Sequence, residues 1–266
     1  MEFVVLKVGG SILEKLPQSF YDTIVDLKKT GTIRPIIIHG GGPEIDDILE
    51  RMNEKSEFVD GLRVTTEEVL EVVEQVLSGR LNKQIVTKIQ QSGGTGIGLS
   101  GVDASLLQVE PQDATGKLGY VGKVEKVNKK WLETLVLHGA IPVISPIGIH
   151  KSGQHYNVNG DTAAAAVAEA LQAKLILISD IPGVMEEVNG KKVVLPRLTK
   201  AEIEEKISKG IIYGGMIPKV NSALKAVSSG VKESVIINGL VPDDLKAYLN
   251  GGKVGTKIVL GEIQHV

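Results

Sequence analysis

Short apolar runs alternate with longer amphipathic segments along this chain. The apolar runs, most of them rich in β-branched residues, predict strands at Val4–Val8, Ile33–His39, Gly96–Ser100, Ile141–Ser145, Leu175–Ser179, Val235–Asn238 and Lys257–Leu260. Apolar residues at helical spacing predict helices at Gln18–Lys29, Glu44–Asn53, Thr66–Gln91, Lys130–Leu137, Asp161–Leu171, Lys200–Lys209, Met216–Ser229 and Asp243–Asn250. Strands that are apolar throughout are typical of a parallel sheet covered by helices on both faces. The pattern therefore predicts an α/β fold, a three-layer αβα sandwich with an open, mainly parallel central sheet.

The helix predicted at Thr66–Gln91 is unusually long, and Gly79 is expected to bend or interrupt it. Its apolar residues recur at helical spacing, at Val69, Val73, Val76, Leu77 and Leu81. Such a stripe can belong to the core or to the interface of a dimer, and the sequence leaves both interpretations open. β-Hairpins are predicted at Tyr120–Asn128, Ile147–Val158 and Val184–Leu195.

Composition excludes several classes of function. The chain has 266 residues, of which 42% are hydrophobic, 23% charged and 3% aromatic, and its formal net charge is −2. This balance does not favour nucleic acid or a membrane as a partner, and no apolar run is long enough to span a bilayer. The absence of cysteine excludes disulfides and thiol catalysis. Because no secretory signal is visible, a cytoplasmic location is expected. The length allows two lobes that share one sheet, with a predicted boundary between residues 1–173 and 174–266.

Two glycine clusters follow predicted strands near the start of the chain. The first lies in Lys7–Ser11 and the second in His39–Pro43. In a strand–glycine–helix turn an anion can approach the backbone N–H groups, and the helix directs its positive end toward it. Lys7 is either a strand-end lysine that extends to water or an ammonium directed at a phosphoryl group, and the adjacent glycines favour the second interpretation. His39 is interpreted as a structural histidine.

Further polar groups lie at predicted strand and helix ends. Arg63 is either a carboxylate-binding arginine or a solvated surface residue. Asn157 and Asn159 are expected on one face of an extended segment. Asp161 is either a helix N-cap or a carboxylate that anchors lysines.

Two segments in the second half also favour ligand binding. Ser179–Gly183 follows a predicted strand, at the edge where open α/β sheets bind ligands. Gly214–Lys219 is a glycine pair that opens a helix, with a lysine in its first turns, where the helix dipole opposes a cation. The lysine is either solvated or paired with an anion.

Several motifs with a known chemistry do not apply here. Gly96–Gly101 matches G-x-G-x-x-G, but its glycines lie within a predicted strand rather than in a strand–helix turn. The sequence contains neither a P-loop nor a G-x-S-x-G nucleophile elbow. The five histidines show no metal-ligand spacing.

The order of these segments resembles the amino-acid kinase family over nearly the whole chain. The matching segments are Lys7–Ser11, His39–Pro43, Gly61–Thr65, Asn157–Asp161, Ser179–Asp180 and Gly214–Lys219. The third and fourth are most similar to the branch that phosphorylates N-acetyl-L-glutamate in arginine biosynthesis. The resemblance implies that the N-terminal lobe holds the acyl amino acid and the C-terminal lobe holds ATP. It also implies direct transfer of the γ-phosphoryl group to the side-chain carboxylate, without an enzyme intermediate.

The resemblance implies a role for each matching position. Catalytic roles are implied for Lys7, Lys219, Asp161, Gly10 and Gly41. Binding of the acyl amino acid is implied for Gly41, Gly42, Arg63, Asn157 and Asn159. Nucleotide binding is implied for Ser179, Asp180, Gly183, Gly214, Gly215, Met216 and Lys219. In this scheme Asp161 orients both lysines, and Arg63 binds the α-carboxylate of the substrate.

The resemblance also implies partners and leaves alternatives. Mg²⁺ would be bound through the phosphates of ATP, since no cluster of acidic ligands is visible in the sequence. Arginine-regulated members that the chain resembles carry an extra N-terminal helix that builds a hexamer. Because this chain begins at its first strand, a homodimer without arginine feedback is expected, assembled partly through the helix predicted at Thr66–Gln91. A kinase for a related capped amino acid, such as an aminoadipate derivative, is one alternative. A non-catalytic ligand or nucleotide sensor with the same fold is another.

Overall fold

Sixteen strands and ten α-helices are assigned in the computed structural model, which describes residues 2–261. The strands are β1 (Glu2–Val8), β2 (Ile33–His39), β3 (Phe58–Val59), β4 (Leu62–Arg63), β5 (Gly96–Ser100), β6 (Leu107–Pro111), β7 (Val121–Val127), β8 (Ile141–Ser145), β9 (Ile147–Ile149), β10 (His155–Val158), β11 (Lys174–Ser179), β12 (Met185–Val188), β13 (Lys191–Val194), β14 (Arg197–Thr199), β15 (Glu233–Asn238) and β16 (Thr256–Val259). The helices are α1 (Gly10–Leu13), α2 (Gln18–Lys29), α3 (Gly42–Arg51), α4 (Glu67–Glu74), α5 (Asn82–Gln91), α6 (Lys129–Leu137), α7 (Gly160–Ala170), α8 (Lys200–Ser208), α9 (Met216–Ser228) and α10 (Pro242–Leu249).

Eight strands form one sheet in the order β14-β16-β15-β11-β1-β2-β8-β5. All neighbouring pairs are parallel except β15 and β16. Two clusters of buried apolar side chains contain alternating residues of the same strands, for example Val4 and Leu6 in one and Val5 in the other. The sheet is therefore covered on both faces, and the predicted three-layer αβα sandwich with a mainly parallel sheet is confirmed.

The chain leaves the central strand β1 in two directions. It first builds β2, β8 and β5 on one side, and later adds β11, β15, β16 and β14 on the other. The carboxyl ends of β1 and β11 therefore flank a topological switch point, where open α/β sheets bind ligands. This topology brings the turn after Val8 next to the turn after Ser179, although the two turns are far apart in sequence.

The long helix is interrupted, as its sequence predicts. A π-helical segment at Gln75–Leu81, which includes Gly79, separates α4 from α5. The apolar stripe is buried within the chain, with no more than 6% of any member exposed, at Val69, Val73, Val76, Leu77 and Leu81. Of the two interpretations of this stripe, the core is correct, so these side chains cannot also form a dimer interface.

Two hairpin predictions are confirmed and one is wrong. β9 pairs with β10, and β12 pairs with β13, both antiparallel. Tyr120–Asn128 is not a hairpin, because it forms the single strand β7, which pairs with β6 in a small closed barrel with β9 and β10. The alternation of apolar and charged residues along this segment is that of one strand. No helix of residues 2–261 has the length and apolarity needed to cross a membrane.

The G-x-G-x-x-G match is explained by packing. A Cβ at Gly96 would approach Ile89 of α5 to 3.3 Å. A Cβ at Gly98 would collide with the Oδ1 of Asn82, whose side chain is fully buried. These glycines let α5 approach the edge strand β5 closely, and they do not form a strand–helix turn.

We therefore expect Gly98→Ala to lower the free energy of unfolding by roughly 1–3 kcal/mol, the usual cost of overpacking. Asn82 cannot move aside without losing its bonds to two strand carbonyls. Urea denaturation measures the change, with Gly79→Ala as control, because a Cβ at Gly79 would meet nothing within 4 Å. Equal stability of the two variants would contradict the packing explanation.

Candidate active site

The two glycine turns contact each other at the switch point. A Cβ at Gly10 would lie 2.8 Å from the Cα of Gly41 and 2.8 Å from the backbone nitrogen of Gly42. A Cβ at Gly41 would collide with Leu81 and would lie 2.7 Å from Leu77. Only glycine allows these backbones to meet, so the two N–H-rich turns form one surface at the ends of β1 and β2.

Lys7 forms an ion pair across this surface. Its Nζ lies 2.7 Å from the Oδ1 of Asp161, and both side chains are largely buried. The other carboxylate oxygen of Asp161 accepts a hydrogen bond of 3.1 Å from Ser222 in α9. Asn159 is the N-cap of α7, since its side chain accepts from the N–H groups of Asp161 and Thr162. Of the two interpretations of Asp161, the structure supports the lysine anchor.

Lys219 has a different partner. Its Nζ donates 2.9 Å to the Ser179 Oγ and lies 3.3 Å from an Oδ1 of Asp180. The prediction that Asp161 orients both lysines is therefore wrong for this structure, because Asp161 contacts Lys7 and Ser222 instead. Lys219 and Ser222 lie one helical turn apart on α9, so that helix approaches both carboxylates.

The surroundings of Asp180 favour its ionised form beside Lys219. Burial alone would raise the pKa of Asp180, but its own backbone N–H, the charge of Lys219 and a hydrogen bond from Lys219 outweigh burial. The pKa of Asp180 therefore lies below its usual range. Both side chains remain partly open to solvent, at 33% for Lys219 and 48% for Asp180, so an incoming anion can replace the carboxylate at small cost.

Two cavities adjoin the glycine turns. The first has a volume of ≈ 170 Å³ and is lined by Gly40, Gly41, Gly42, Arg63, Asn157 and Asn159, among others. The second has a volume of ≈ 710 Å³ and is lined by Ser11, Asp180, Gly183, Gly215, Met216 and Lys219, among others. The first cavity thus collects every residue that was predicted to bind the acyl amino acid. The second collects most of those predicted to bind the nucleotide, and its volume is typical of small-molecule sites.

Two of the predicted nucleotide residues do not line the second cavity. Ser179 is 2% exposed and serves as a partner of Lys219. Gly214 has φ +54, in the left-handed region, and makes the turn that directs α9. Ser179 therefore acts through Lys219, and Gly214 acts through the backbone turn that precedes α9.

Arg63 is not a surface arginine. Its Nη1 donates 2.7 Å to the Oδ1 of Asp46 and also to the Oγ of Ser56, and its guanidinium stacks 4.7 Å from the Phe58 ring. Its Nη2 lies 3.4 Å from the carbonyl oxygen of Gly42, at the wall of the first cavity. The Nη1 is thus fixed by two partners, and the guanidinium borders the first cavity. Burial alone would raise the pKa of Asp46, but the Arg63 and Ser56 hydrogen bonds hold it below its usual range.

Asn157 and Asn159 share the first cavity but differ in what holds them. Asn157 donates 3.1 Å to the Oγ1 of Thr65. The side-chain oxygen of Asn159 accepts the hydrogen bonds that cap α7, so its amide N–H groups remain available to a ligand. The predicted placement of both on one face is confirmed.

Sequence reasoning missed the residues that hold these groups in place. They are Asp46, Ser56, Phe58 and Ser222. Asp46 acts on Arg63, 17 residues later, and Ser222 acts on Asp161, 61 residues earlier. No spacing rule connects such pairs before the fold is known. Within residues 2–261, no three His, Asp or Glu side chains come together in a metal-binding group.

Comparisons with known proteins identify the family of this chain. A sequence model of the amino acid kinase family matches residues 2–238. The chain belongs to this family.

Two relatives of known name and one solved structure show the similarity in more detail. The chain is 57% identical over 266 residues to an acetylglutamate kinase of Oceanobacillus iheyensis, with 100% of both chains covered. It is 46% identical over 256 residues to an acetylglutamate kinase of a Geobacillus species, with 96% of each covered. A solved structure from Streptococcus mutans superimposes with a TM-score of 0.81 at 31% identity, covering 97% of this chain and 99% of that one.

The ion pair between Arg63 and Asp46 can be tested by the pH dependence of the free energy of unfolding. Because the folded-state pKa of Asp46 is depressed, its ionised form stabilises the fold above its unfolded pKa of about 3.8, and this contribution is lost as pH falls through the folded value. Asp46→Asn should therefore lower the free energy of unfolding at pH 6, and the difference from wild type should shrink toward pH 3.

Urea denaturation at both pH values measures this difference. Asp47→Asn is the matched control, since Asp47 and its partner Arg51 are 50% and 68% exposed, and such surface pairs contribute little. A pH-independent loss in Asp46→Asn would show that packing, rather than the charge on Asp46, holds Arg63.

Proposed function

We propose that this chain transfers the γ-phosphoryl group of ATP to the side-chain carboxylate of N-acetyl-L-glutamate, a step of arginine biosynthesis. The observation that carries the proposal is the pair of cavities that border the two glycine turns, one lined by Gly40–Gly42 and the other by Ser11. One cavity offers an arginine fork and amide groups for an acyl amino acid. The other offers a lysine and a helix N-terminus for phosphates.

The residues supply what such a transfer needs. A carboxylate acceptor is already ionised, so no strong general base is required, and catalysis depends on positioning and on stabilising negative charge. The acceptor oxygen attacks the γ-phosphorus, the bond to the β–γ bridging oxygen breaks, and ADP leaves with that electron pair. Lys7, held by Asp161 at 2.7 Å, and the N–H groups of Gly10 and Gly41 would stabilise the phosphoryl oxygens during this step.

The acceptor would occupy the first cavity. The remaining N–H groups of Arg63 at the cavity wall suit the α-carboxylate, since charge-assisted hydrogen bonds from a guanidinium to a carboxylate are strong. The amide groups of Asn157 and Asn159 suit the polar atoms of the N-acetyl group and backbone of the substrate. The small volume of ≈ 170 Å³ favours a short acyl cap, which disfavours larger capped amino acids.

The donor would occupy the second cavity, in the proposed C-terminal lobe of residues 174–266. Lys219 would exchange Asp180 for the phosphates, and Gly214–Met216 would present the N-terminus of α9 to them. Mg²⁺ would arrive on the phosphates and neutralise part of their charge. Asp180 is the described carboxylate nearest to Lys219 and therefore the candidate to meet that ion.

Assembly and location belong to the same proposal. We propose a homodimer whose interface lies away from the buried stripe of the α4–α5 segment. Use of ATP and of a biosynthetic acyl amino acid supports a cytoplasmic site of action.

One assay tests the reaction. The purified protein is given Mg-ATP with N-acetylglutamate, glutamate, aspartate or an aminoadipate derivative, and hydroxylamine traps any acyl phosphate. We expect product with N-acetylglutamate, and a loss of kcat of at least roughly 100-fold in Lys7→Met, since Lys7 acts on the transition state. Lys253→Met, outside both cavities, is the control. If another acid is preferred, that acid replaces N-acetylglutamate as the proposed substrate. Binding of nucleotide without phosphorylation of any acid would favour the non-catalytic sensor.

Tyr213 offers a test of the nucleotide side. It lines the second cavity and is 72% exposed, although aromatic residues are scarce in this chain. We propose that the adenine ring stacks on it. Base stacking on an aromatic side chain is worth ~1–3 kcal/mol, so Tyr213→Ala should raise the Kd for ADP roughly fivefold or more.

Titration calorimetry with ADP measures this Kd, and Tyr213→Phe should keep the wild-type value. Trp131→Ala is the matched control, because Trp131 is also exposed, at 51%, and lies on α6, which contributes nothing to the second cavity. An unchanged Kd in Tyr213→Ala would remove Tyr213 from the nucleotide site.

A further inference from the structure

His39 lies directly beneath the second glycine turn. It is the last residue of β2, and neither its side chain nor that of Asn82 has any exposure to solvent. Burial lowers the pKa of His39 to about 4, although its contact with Gly40 acts in the opposite direction. A neutral imidazole in the core can serve as a donor through only one of its two nitrogens.

The contacts of the ring determine which nitrogen carries the proton. The Nδ1 lies 3.0 Å from the carbonyl oxygen of Gly40, which can only accept, so Nδ1 must be the donor. The Nε2 faces the Nδ2 of Asn82 at 3.4 Å. That amide nitrogen also donates to the carbonyls of Val143 at 2.9 Å and Leu99 at 3.2 Å, so it is the N–H end, and its two hydrogens are shared among these two oxygens and Nε2. His39 is therefore the neutral Nδ1–H tautomer.

This hydrogen bond fixes one particular peptide group. The peptide bond is planar and trans, so the N–H of Gly41 points opposite to the carbonyl of Gly40. The carbonyl is held toward the buried ring of His39, and the N–H is consequently directed away from the core, into the crevice. The preceding peptide is held as well, because the N–H of Gly40 donates 2.9 Å to the carbonyl of Val8 in β1.

A glycine turn has special need of such a restraint. Glycine residues give the backbone wide freedom, so a free Gly40–Gly41 peptide could rotate and turn its N–H away from the site. Electrostatic stabilisation of a transition state requires donors that are already oriented before the reaction. The side chains of Leu77 and Leu81 press on the Cα of Gly41 but do not orient its peptide plane.

We propose that His39 is a positioning residue, which holds the Gly40 carbonyl so that the Gly41 N–H faces the transferring phosphoryl group. Asn82, whose N–H end faces Nε2, favours the same tautomer, since a second N–H there would face a donor. His39 touches neither substrate, and it acts through the peptide alone. The inference rests on the proposed kinase reaction for its effect on rate, but the tautomer and the hydrogen bond are properties of the protein without substrate.

Two substitutions separate the two ends of the ring. In His39→Asn the amide Nδ2 occupies the place of Nδ1 and can donate to Gly40, but the contact with Asn82 is lost. In His39→Gln the amide group reaches the place of Nε2, and the donor to Gly40 is lost. Both leave part of the ring volume empty, so each is expected to lower the melting temperature.

We expect kcat with N-acetylglutamate and ATP to be at least tenfold lower in His39→Gln than in His39→Asn, with KM for ATP within about threefold of wild type in both. A merely structural histidine would lower the folded fraction and leave kcat per folded molecule equal in the two variants. That equality would overturn the proposal. Inactivity of the wild-type protein on every acid would instead refute the proposed function.

A spectroscopic measurement keeps the inference testable if both variants fold poorly. In the wild-type protein labelled with ¹⁵N-histidine, long-range ¹H–¹⁵N spectra at pH 7 should show His39 with a protonated Nδ1 and an unprotonated Nε2. The same pattern should persist at pH 5.5. A protonated Nε2 at pH 7 would overturn the proposal, whatever the activity.

Discussion

The close contact between the two glycine turns is the constraint on which the rest of the site depends. β1 and β2 are neighbours in the sheet, so the turns at their carboxyl ends must pass within a few ångströms of each other. A side chain at Gly10 would keep the turns apart, and one at Gly41 would collide with Leu77 and Leu81. Because both turns lack a Cβ there, donors from two strands share one small surface. Lys7 and Asp161 then border that surface at fixed distance.

Charge is balanced around this surface before any ligand arrives. Each of the three candidate cations has its own carboxylate, with Lys7 on Asp161, Lys219 on Asp180 and Arg63 on Asp46. The pairs differ in solvent exposure, and they therefore suit different roles. The Lys7 and Arg63 pairs are more buried, and losing one partner there would leave a costly charge. The Lys219 pair is open, so polyphosphate can replace Asp180 readily, which suits the side of the site that must bind and release a nucleotide.

Much of this fold could be predicted from the sequence, because its elements are marked locally. Gln18–Lys29 and Ile33–His39 agree with the structure to the residue, since an apolar period and flanking turn residues define both. β14 was missed because three residues carry no period. The glycine turns and Lys7 could be identified because strand, glycine and helix follow one another in sequence. Asp46 and Ser222 could not be identified, because their partners Arg63 and Asp161 lie near them only in the folded structure.

The π-helical segment shows why packing and chemistry cannot be separated at Gly41. It carries Leu77 and Leu81 against the Cα of Gly41, and directly after it Asn82 faces strand carbonyls on one side and His39 on the other. π-Helical turns are rare and frequently occur at functional sites. A substitution at Gly41 would therefore disturb core packing and the N–H donor together, and its effect on rate would have no single cause. His39 touches the same peptide from the opposite end without filling the crevice, so it is the position at which orientation of the donor can be varied while the donor itself remains.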